Sequence, residues 1–557
     1  MPESKLPESM PSPADKAFRA YFDNPFERKI MNIEYSVLGN FHGRGFLPGN
    51  TEMHFRKGIE EGFDGFKADM RLSSDGVIVL CHDAGYTFAQ DEQPTNIGVP
   101  SECEDVMLQA FYWDSYKNQS GTDSKYGRTK WIDLLKDTAA INANFDLVWF
   151  PPSAKSTGGV GYYHTCLSDQ SGDWGTKTKL NELIEALHKG QTKVIGDIVI
   201  NHRGNKSGWT DFYQDNFGQY GTYQLTQSHI CSDDEAFTSP SSPVKGSSTH
   251  GAADTGTNDG GCRDLDHTSE YVQNWAKAYV QWMIDVMQYD GFRYDMTLGY
   301  HGRYLSMYNE ASQPYLSVSE LWDGIDRQVR HLQETNYNTM IFDFPLKYQL
   351  HQGIVGGSYG KLRNPSNSLR GKGYAKYAVT FLDNHDTFER SSYGDNQFGG
   401  QNINLNNPTN RNRILQGYAY ILMMPGVPCV FWPHWKTYQS EINALIAVRK
   451  SAGIHSESAV LSETTSQNNY EAVIQGHRGR VMLRLGSKRS TETPEGYRKV
   501  VDGPEHTVYY KEGGEGIEET VPENASSVRK VIYNGQVYIV REGKTYTLTG
   551  NELRIEN

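Results

Sequence analysis

The chain has 557 residues and a formal net charge of -13. This length is too great for one ordinary hydrophobic core and predicts several domains. The acidic balance argues against nucleic acid as a partner, because such binding relies on clustered Lys and Arg, so a neutral substrate fits better. Residues 1–7 lack the apolar stretch of a signal peptide, and no apolar run of roughly 18 residues predicts a membrane span. The compartment is left open.

The first 104 residues do not share the pattern of the rest of the chain. Four strings between residues 32 and 90 resemble the opening of a glycerophosphodiester phosphodiesterase barrel: His42-Gly-Arg44-Gly, Asn50-Thr51, Lys67-Ala-Asp69 and Cys81-His82-Asp83. Only about two of the eight β/α units that close such a barrel are present, and Lys67 stands where that family has a metal-binding Glu. We therefore expect a fused remnant or docking module without phosphodiesterase activity.

Residues 105–435 alternate short apolar runs with amphipathic stretches, the pattern of parallel strands covered by helices. Eight such runs in about 330 residues predict an α/β fold with a (β/α)8 TIM barrel. Between the third strand and its helix, residues 203–263 are too long for an ordinary connection and predict a functional insertion subdomain. The candidate strands are 106–111, 145–150, 194–201, 291–295, 316–320, 340–344, 378–382 and 427–432.

The last part of the chain changes texture. Residues 436–510 begin with a helix predicted at 440–451 and continue as alternating segments, which predicts the final barrel helix and a C-terminal antiparallel β domain. Residues 511–528 are acidic and glycine-rich, which is typical of a linker. Residues 529–557 predict a terminal β meander with a tight turn at Asn534-Gly535. This tail resembles those of exported bacterial polysaccharide-degrading proteins and suggests an exported ancestor.

Four of the predicted barrel strands end in ionisable residues, at the barrel end where catalytic groups emerge. Asp295 and Glu320 close neighbouring strands, so their side chains can face one another. Cleaving a glycosidic bond with retention needs such a pair about 5 Å apart: a carboxylate that attacks the anomeric carbon and a carboxylic acid that protonates the leaving oxygen. Arg293 points to the same face as Asp295 and favours its ionised, nucleophilic form. The strings are Asp197-Ile-Val-Ile-Asn201-His202, Gly291-Phe-Arg293-Tyr-Asp295, Ser317-Val-Ser-Glu320 and Phe381-Leu-Asp383-Asn-His385-Asp386.

With Phe342-Asp-Phe-Pro345 and Pro425-Gly-Val-Pro-Cys-Val-Phe431, these strings occur in the order and spacing of a known family. Residues 106 to about 500 resemble an α-amylase of glycoside hydrolase family thirteen, particularly its plant-like branch. The resemblance implies that Asp295 is the nucleophile, Glu320 the general acid/base and Asp386 a third carboxylate that holds sugar hydroxyls. It also implies a substrate-binding set: Tyr162, which stacks on the sugar, His202 and His385, which hydrogen-bond it, and Arg293.

A calcium site is the cofactor that the resemblance implies. The insertion ends in a run of oxygen-bearing residues, from Asp254 to Asp264, and hard oxygen donors suit Ca²⁺. By the resemblance, the side chains of Asn201, Asp254 and Asp264, with the carbonyls of Thr257 and Gly299, hold one ion that pins the insertion to the barrel. The alternative is an acidic, solvated loop.

The leading interpretation is an endo-acting, retaining α-1,4-glucan hydrolase that acts as a monomer on starch, glycogen or malto-oligosaccharides, with calcium in a structural role. Two alternatives stay open, a glucan transglycosylase and a non-catalytic glucan-binding protein. Leu298 departs from the plant-like branch, which usually has a Lys there that helps to hold sugar on the leaving-group side. We expect this change to leave the chemistry intact and to alter the lengths of the products.

Overall fold

The computed structural model describes residues 97–117, 126–258, 260–390, 396–466 and 468–513, and elsewhere only the backbone of short strands. The strings that resemble a glycerophosphodiester phosphodiesterase, between residues 42 and 83, lie outside the described residues. Near them, Leu38–Gly39 pairs in parallel with Gly65–Phe66, and Met70–Leu72 pairs antiparallel with Ile78–Leu80. The chain divides into two compact units, residues 1–512 and 513–557.

Eight parallel strands close into a barrel, which confirms the predicted fold class. Each strand pairs with its neighbours in the chain and the last pairs with the first, so the order around the barrel follows the sequence. Every strand residue except Lys193 is buried, as expected where helices cover a parallel sheet. The strands are β1 (Met107–Gln109), β2 (Leu147–Trp149), β3 (Lys193–Ile198), β4 (Gly291–Tyr294), β5 (Leu316–Ser319), β6 (Met340–Phe342), β7 (Ala378–Thr380) and β8 (Val427–Phe431).

The amphipathic helices bury an apolar stripe, whereas all residues from 414 to 423 are buried in the helix Pro408–Met423. In the helix Lys177–Lys189, the Thr176 side chain accepts a hydrogen bond from the Lys179 N–H at the start, and the apolar residues at 180, 183, 184 and 187 face the core. No helix within the described residues is long and apolar enough to cross a membrane. The helices are α1 (Trp131–Leu134), α2 (Thr138–Asn144), α3 (Lys177–Lys189), α4 (Glu235–Thr238), α5 (Glu270–Asp285), α6 (Gly302–Ser312), α7 (Ile325–Glu334), α8 (Phe344–Leu350), α9 (Pro408–Met423), α10 (Trp432–Thr437) and α11 (Gln439–Ala452).

The insertion after β3 is closed at its base by a short antiparallel pair, His202–Arg203 with Arg263–Asp264. Within it, Arg203 and Asp215 form a fully buried ion pair at 2.6 Å. The indole N–H of Trp275, on the helix α5 that follows the insertion, donates to the same Asp215 carboxylate at 2.9 Å. These contacts fix the insertion beside the carboxyl end of β3.

Five antiparallel strands follow the barrel, and the fifth of them lies between the third and the fourth in the sheet. Burial alternates along the third, Gly479–Leu485, as expected for a sheet with one covered face. The last strand continues to Glu512, two residues into the predicted linker. The strands are β9 (Ala459–Ser466), β10 (Asn469–Gln475), β11 (Gly479–Leu485), β12 (Arg498–Asp502) and β13 (His506–Glu512), and the second unit holds an antiparallel meander of β14 (Val528–Tyr533), β15 (Gln536–Arg541), β16 (Lys544–Thr547) and β17 (Glu552–Leu553).

Residues 97–104 pack with the barrel, although the sequence assigns them to the N-terminal segment. The Gly98 carbonyl accepts a hydrogen bond from the Ser317 N–H at 2.8 Å. The Cys103 N–H donates to the Ser456 hydroxyl at 3.1 Å. Gly98 has a φ of +74°, and a Cβ added there would lie 2.6 Å from the Ser317 Cβ. Residues 97–104 are therefore bound to the barrel strand β5 and to the loop that contains Ser456 by backbone hydrogen bonds.

Candidate active site

One arginine forms ion pairs with three carboxylates at the carboxyl ends of β3, β4 and β5. The register places Arg293 of β4 beside Asp197 of β3. Its Nη1 lies 2.8 Å from Asp197 Oδ1 and 2.6 Å from Asp295 Oδ1, and its Nη2 lies 2.9 Å from Glu320 Oε1. The structure therefore brings the predicted nucleophile and the predicted acid together around a buried guanidinium.

The electrostatics of this cluster favour the retention of one proton. Burial raises the pKa of Asp295 to about 6 in spite of the neighbouring Arg293 guanidinium. Burial likewise raises the pKa of Asp197 to about 6 and raises the pKa of Glu320. The negative charge of Asp295 also raises the pKa of Glu320. Carboxyls this close together in a buried site do not all ionise, so the cluster favours keeping one proton.

The third predicted carboxylate joins the cluster through a histidine and a tyrosine. His385 Nε2 lies 3.2 Å from Asp386 Oδ2 and 2.7 Å from the Tyr162 hydroxyl, which donates to Asp197 Oδ2 at 2.9 Å. Burial holds the pKa of His385 well below its usual value, so the imidazole is neutral. Because the Gln109 amide donates to Nδ1 at 3.0 Å, the ring hydrogen lies on Nε2.

The predicted sugar-binding residues lie around this network. The Tyr162 ring stacks on His385 with 5.3 Å between centroids. His202 Nε2 lies 3.2 Å from the Tyr162 carbonyl oxygen, on the insertion side of the network. The structure thus places the seven candidates at one end of the barrel: Asp295, Glu320, Asp386, Tyr162, His202, Arg293 and His385.

Several residues of the site were not predicted. Asp197 accepts hydrogen bonds from the Trp149 indole at 3.1 Å and from Tyr162. The sequence indicates this residue only as an ionisable side chain inside an apolar strand. Arg390 pairs with Asp386 and lies 3.5 Å over the Trp113 ring. Arg390 stands in a loop beyond the motif, where the sequence gives no periodic or spacing signal.

A buried lysine holds the loop that carries Asp386. Lys347, on helix α8, donates to the Leu382 carbonyl at 2.6 Å and to Asp383 Oδ1 at 3.0 Å. Asp383 also accepts from the Thr387 hydroxyl at 2.9 Å and from the Phe398 N–H at 2.9 Å. These bonds hold the backbone on both sides of Asp386, so Asp383 has a positioning role.

The predicted calcium ligands lie where the insertion meets the loop after β4. The Asn201 amide donates to Asp264 Oδ1 at 3.2 Å. The Thr257 N–H donates to the Leu298 carbonyl at 2.8 Å, which places Thr257 next to Gly299. A Cβ added to Gly299 would lie 1.9 Å from Asn201 Oδ1, so the amide oxygen lies directly against this backbone. Four of the five candidates are therefore neighbours.

The fifth candidate, Asp254, has an unsatisfied oxygen. Its Oδ1 accepts from the Gly256 N–H at 3.2 Å, whereas its Oδ2 is buried and has no hydrogen-bond partner among the residues that the structure describes. Burial raises the pKa of Asp254 to about 6, and Asp233 adds to this. A buried carboxylate oxygen without a donor is costly unless a cation satisfies it. The carboxylate, amide and backbone oxygens of these residues fit Ca²⁺.

Comparisons with known proteins show which family the chain resembles. Residues 112–354 match the family model described as the catalytic domain of alpha amylase. The chain is 28% identical over 448 residues to the probable alpha-amylase 2 of Arabidopsis thaliana, an alignment that spans 76% of this chain and 98% of that relative. It is 34% identical over 138 residues to the barley (Hordeum vulgare) alpha-amylase type B isozyme, spanning 24% of this chain and 80% of that relative.

A longer relative and a solved structure extend the comparison. The chain is 29% identical over 428 residues to the chloroplastic alpha-amylase 3 of Arabidopsis thaliana, which spans 73% of this chain but only 44% of that relative. The crystal structure of a Geobacillus thermoleovorans alpha-amylase with acarbose superposes with a TM-score of 0.54 at 15% identity, covering 73% of this chain and 98% of that one. At this identity the structural likeness supports the fold alone.

Proposed function

Because the chain belongs to the α-amylase family of glycoside hydrolases, we propose that it cleaves internal α-1,4 bonds of starch, glycogen or malto-oligosaccharides with retention. The observation that carries the proposal is the Arg293 guanidinium, which holds Asp295 and Glu320 together in one buried cluster. Curated relatives named as alpha-amylases support the class of substrate.

The roles of the two acids follow from their surroundings. Asp295, which accepts a hydrogen bond from Arg293, attacks the anomeric carbon as a carboxylate. Glu320 gives its proton to the departing glycosidic oxygen, so that a covalent glycosyl-enzyme forms. Glu320 then takes a proton from water, the water oxygen attacks the anomeric carbon, and Asp295 is released as a carboxylate. Two inversions at one carbon give net retention.

The remaining site residues bind and orient the sugar in this proposal. Asp386 accepts hydrogen bonds from ring hydroxyls, as the third carboxylate of the family. His385 holds Tyr162 through its Nε2 hydrogen, and the Tyr162 ring offers an apolar face to the sugar. His202 adds a polar contact on the insertion side. These contacts favour a distorted sugar by binding it more strongly than the relaxed ring.

We assign the calcium ligands to Asn201, Asp254 and Asp264, with the carbonyls of Thr257 and Gly299. The unsatisfied Oδ2 of Asp254 supports this assignment. When bound, Ca²⁺ supplies positive charge that offsets these carboxylates and joins the insertion to the loop after β4. The catalytic proton transfers belong to the side chains of the cluster around Arg293.

Leu298 provides a basis for an altered product pattern. Its side chain packs against an apolar cluster that includes Leu321 and Ile325, just beyond Glu320. An apolar group there offers no donor to sugar hydroxyls on the leaving-group side. We propose that the chain releases a different spread of product lengths from plant-like relatives that carry Lys, with the cleavage chemistry unchanged.

Digestion of maltoheptaose tests the proposed reaction. We expect shorter maltodextrins, whose new reducing ends appear first as the α-anomer by proton NMR, because a double displacement retains configuration. Products longer than seven units would instead show that a sugar intercepts the covalent intermediate, which is the transglycosylase alternative. Binding of maltoheptaose without any product would leave only the non-catalytic alternative.

A further inference from the structure

Three side chains from distant parts of the chain meet at the amino end of the barrel strands, opposite the catalytic end. Glu102 precedes β1, His455 follows helix α11, and His477 lies in the turn between β10 and β11. One ring nitrogen of each histidine and one carboxylate oxygen of Glu102 all lie within 4.8 Å of one another. We propose that these three residues bind one divalent transition-metal ion of the zinc type.

A carboxylate behind His477 orients that ring for coordination. Glu104 Oε1 lies 3.0 Å from His477 Nδ1, and Arg478 Nη1 lies 3.0 Å from the same oxygen. The Glu104 carboxylate therefore accepts from both His477 and Arg478. Its bond keeps the ring hydrogen on Nδ1 and leaves the Nε2 lone pair for a metal. His477 Nε2 lies 3.5 Å from Glu102 Oε2.

The second histidine lies against the first. The His455 and His477 rings stack with 4.2 Å between centroids and 15° between planes. Coordination by either nitrogen of His455 replaces the hydrogen bond that its Nδ1 accepts from the Glu457 N–H at 3.3 Å. Donors around tetrahedral Zn²⁺ lie roughly 3.4 Å apart, so binding requires the three side chains to move closer and the stacked rings to turn until both lone pairs face the ion.

The donor atoms of the cluster and its exposure to solvent indicate which kind of ion it binds. Two imidazoles and one carboxylate suit Zn²⁺, whereas Ca²⁺ prefers a shell of oxygen atoms. The side chains of Glu102 and His477 are 55% and 30% exposed, so an ion can enter from solvent and keep water as a further ligand. This site is therefore separate in both place and chemistry from the proposed calcium site.

The ion would join the segment before β1 to the C-terminal sheet. The Glu102 N–H already donates to Glu457 Oε2 at 2.8 Å, and the neighbouring Cys103 N–H donates to Ser456. These bonds hold the segment against the loop that carries His455, and His477 adds the turn of the sheet. A metal ion bound by all three stabilises this junction without contacting the catalytic residues.

Zinc titration of the full-length protein in saturating Ca²⁺ tests the proposal, by calorimetry and by thermal unfolding. We expect one Zn²⁺ per chain and a rise in Tm of several degrees, with at least tenfold weaker binding in both Glu102→Gln and His477→Gln. His188→Gln is the matched control, because His188 is similarly exposed and bonded to a carboxylate, Asp290, and it should bind as the wild type does.

Two outcomes would overturn the assignment. The first is that the wild type takes up no Zn²⁺ at micromolar concentrations. The second is that both variants bind Zn²⁺ as tightly as the wild type does, which would place the ion elsewhere on the chain. Starch hydrolysis should be the same with and without Zn²⁺, so this result is independent of the proposed function.

Discussion

At the scale of single residues, the contacts of Arg293 explain why the carboxylates around it can take different roles. If all three carboxylates around it were ionised, the buried cluster would carry two uncompensated negative charges, which a low-dielectric interior disfavours. In the proposed function Glu320 keeps a proton, which removes one of them. Asp295 then stays paired with the guanidinium, so that two similar side chains serve as acid and nucleophile.

The pH dependence of catalysis should report this arrangement. We expect kcat/KM for maltoheptaose to fall as the pH is lowered through about 6, because burial raises the pKa of Asp295 to about 6 and only its ionised form attacks. On the alkaline side, activity should fall when Glu320 loses its proton. Full activity down to about pH 4, the usual range of an Asp carboxyl, would contradict the raised pKa.

The raised pKa of Asp295 should also affect the stability of the protein. A carboxyl whose pKa is raised on folding lowers the stability as the pH rises from its unfolded pKa, about 4, to its folded pKa, about 6, and the full loss remains at higher pH. At pH 7, Asp295→Asn should therefore raise the free energy of unfolding by on the order of 2 kcal/mol and Tm by a few degrees. The same variant should have no turnover. Asp326→Asn, at a 91% exposed carboxylate, should change neither. The gain should shrink near pH 4, where the wild-type carboxyl is protonated; an equal gain at both pH values would exclude relief of charge.

At the scale of elements, the barrel strands were predictable because each is a short apolar run, and four of them end in ionisable residues. The run at 291–295 gave β4 and also showed that Arg293 and Asp295 share a face. The contact of Arg293 with Asp197 depends on the register of β4 on β3, which a single sequence does not reveal. Arg390 over Trp113 and residues 97–104 on the barrel depend on long-range packing in the same way.

The loop after β4 offers a steric test of the contact with the insertion. Gly299→Ala should lower Tm and weaken the response to Ca²⁺, because the new Cβ would lie 1.9 Å from Asn201 Oδ1. Gly324→Ala is the matched control, since no atom lies within 4 Å of a Cβ added there. Thermal unfolding with and without Ca²⁺ measures both effects. Equal behaviour of the two variants would show that Gly299 does not lie against Asn201.

At the scale of the whole molecule, the first unit combines the barrel, its insertion and the C-terminal sheet. The barrel order and the sheet were predictable from the number and spacing of apolar runs. The cluster of Glu102, His455 and His477 was not, because its members are far apart in the sequence and match no motif. The insertion is held by the buried ion pair of Arg203 with Asp215 and, in the proposed function, by calcium.

Removal of calcium should therefore weaken the whole first unit. Chelation should lower Tm by several degrees, because the ion binds only the folded arrangement of Asn201, Asp254 and Asp264. Asp254→Asn should lose most of this response, whereas Asp326→Asn should keep it. The comparison is thermal unfolding in excess Ca²⁺ and in chelator. A wild-type melting curve that does not move would contradict the calcium assignment.

Reducing-sugar release from soluble starch by the wild type and by Glu320→Gln is the most direct test of the central claim. We expect rapid release by the wild type and a rate lower by several orders of magnitude in the variant, because both proton transfers depend on this acid. Glu310→Gln, the same change on the exposed face of helix α6, should retain the wild-type rate. Near-normal release by Glu320→Gln, or none by the folded wild type in Ca²⁺, would contradict the account.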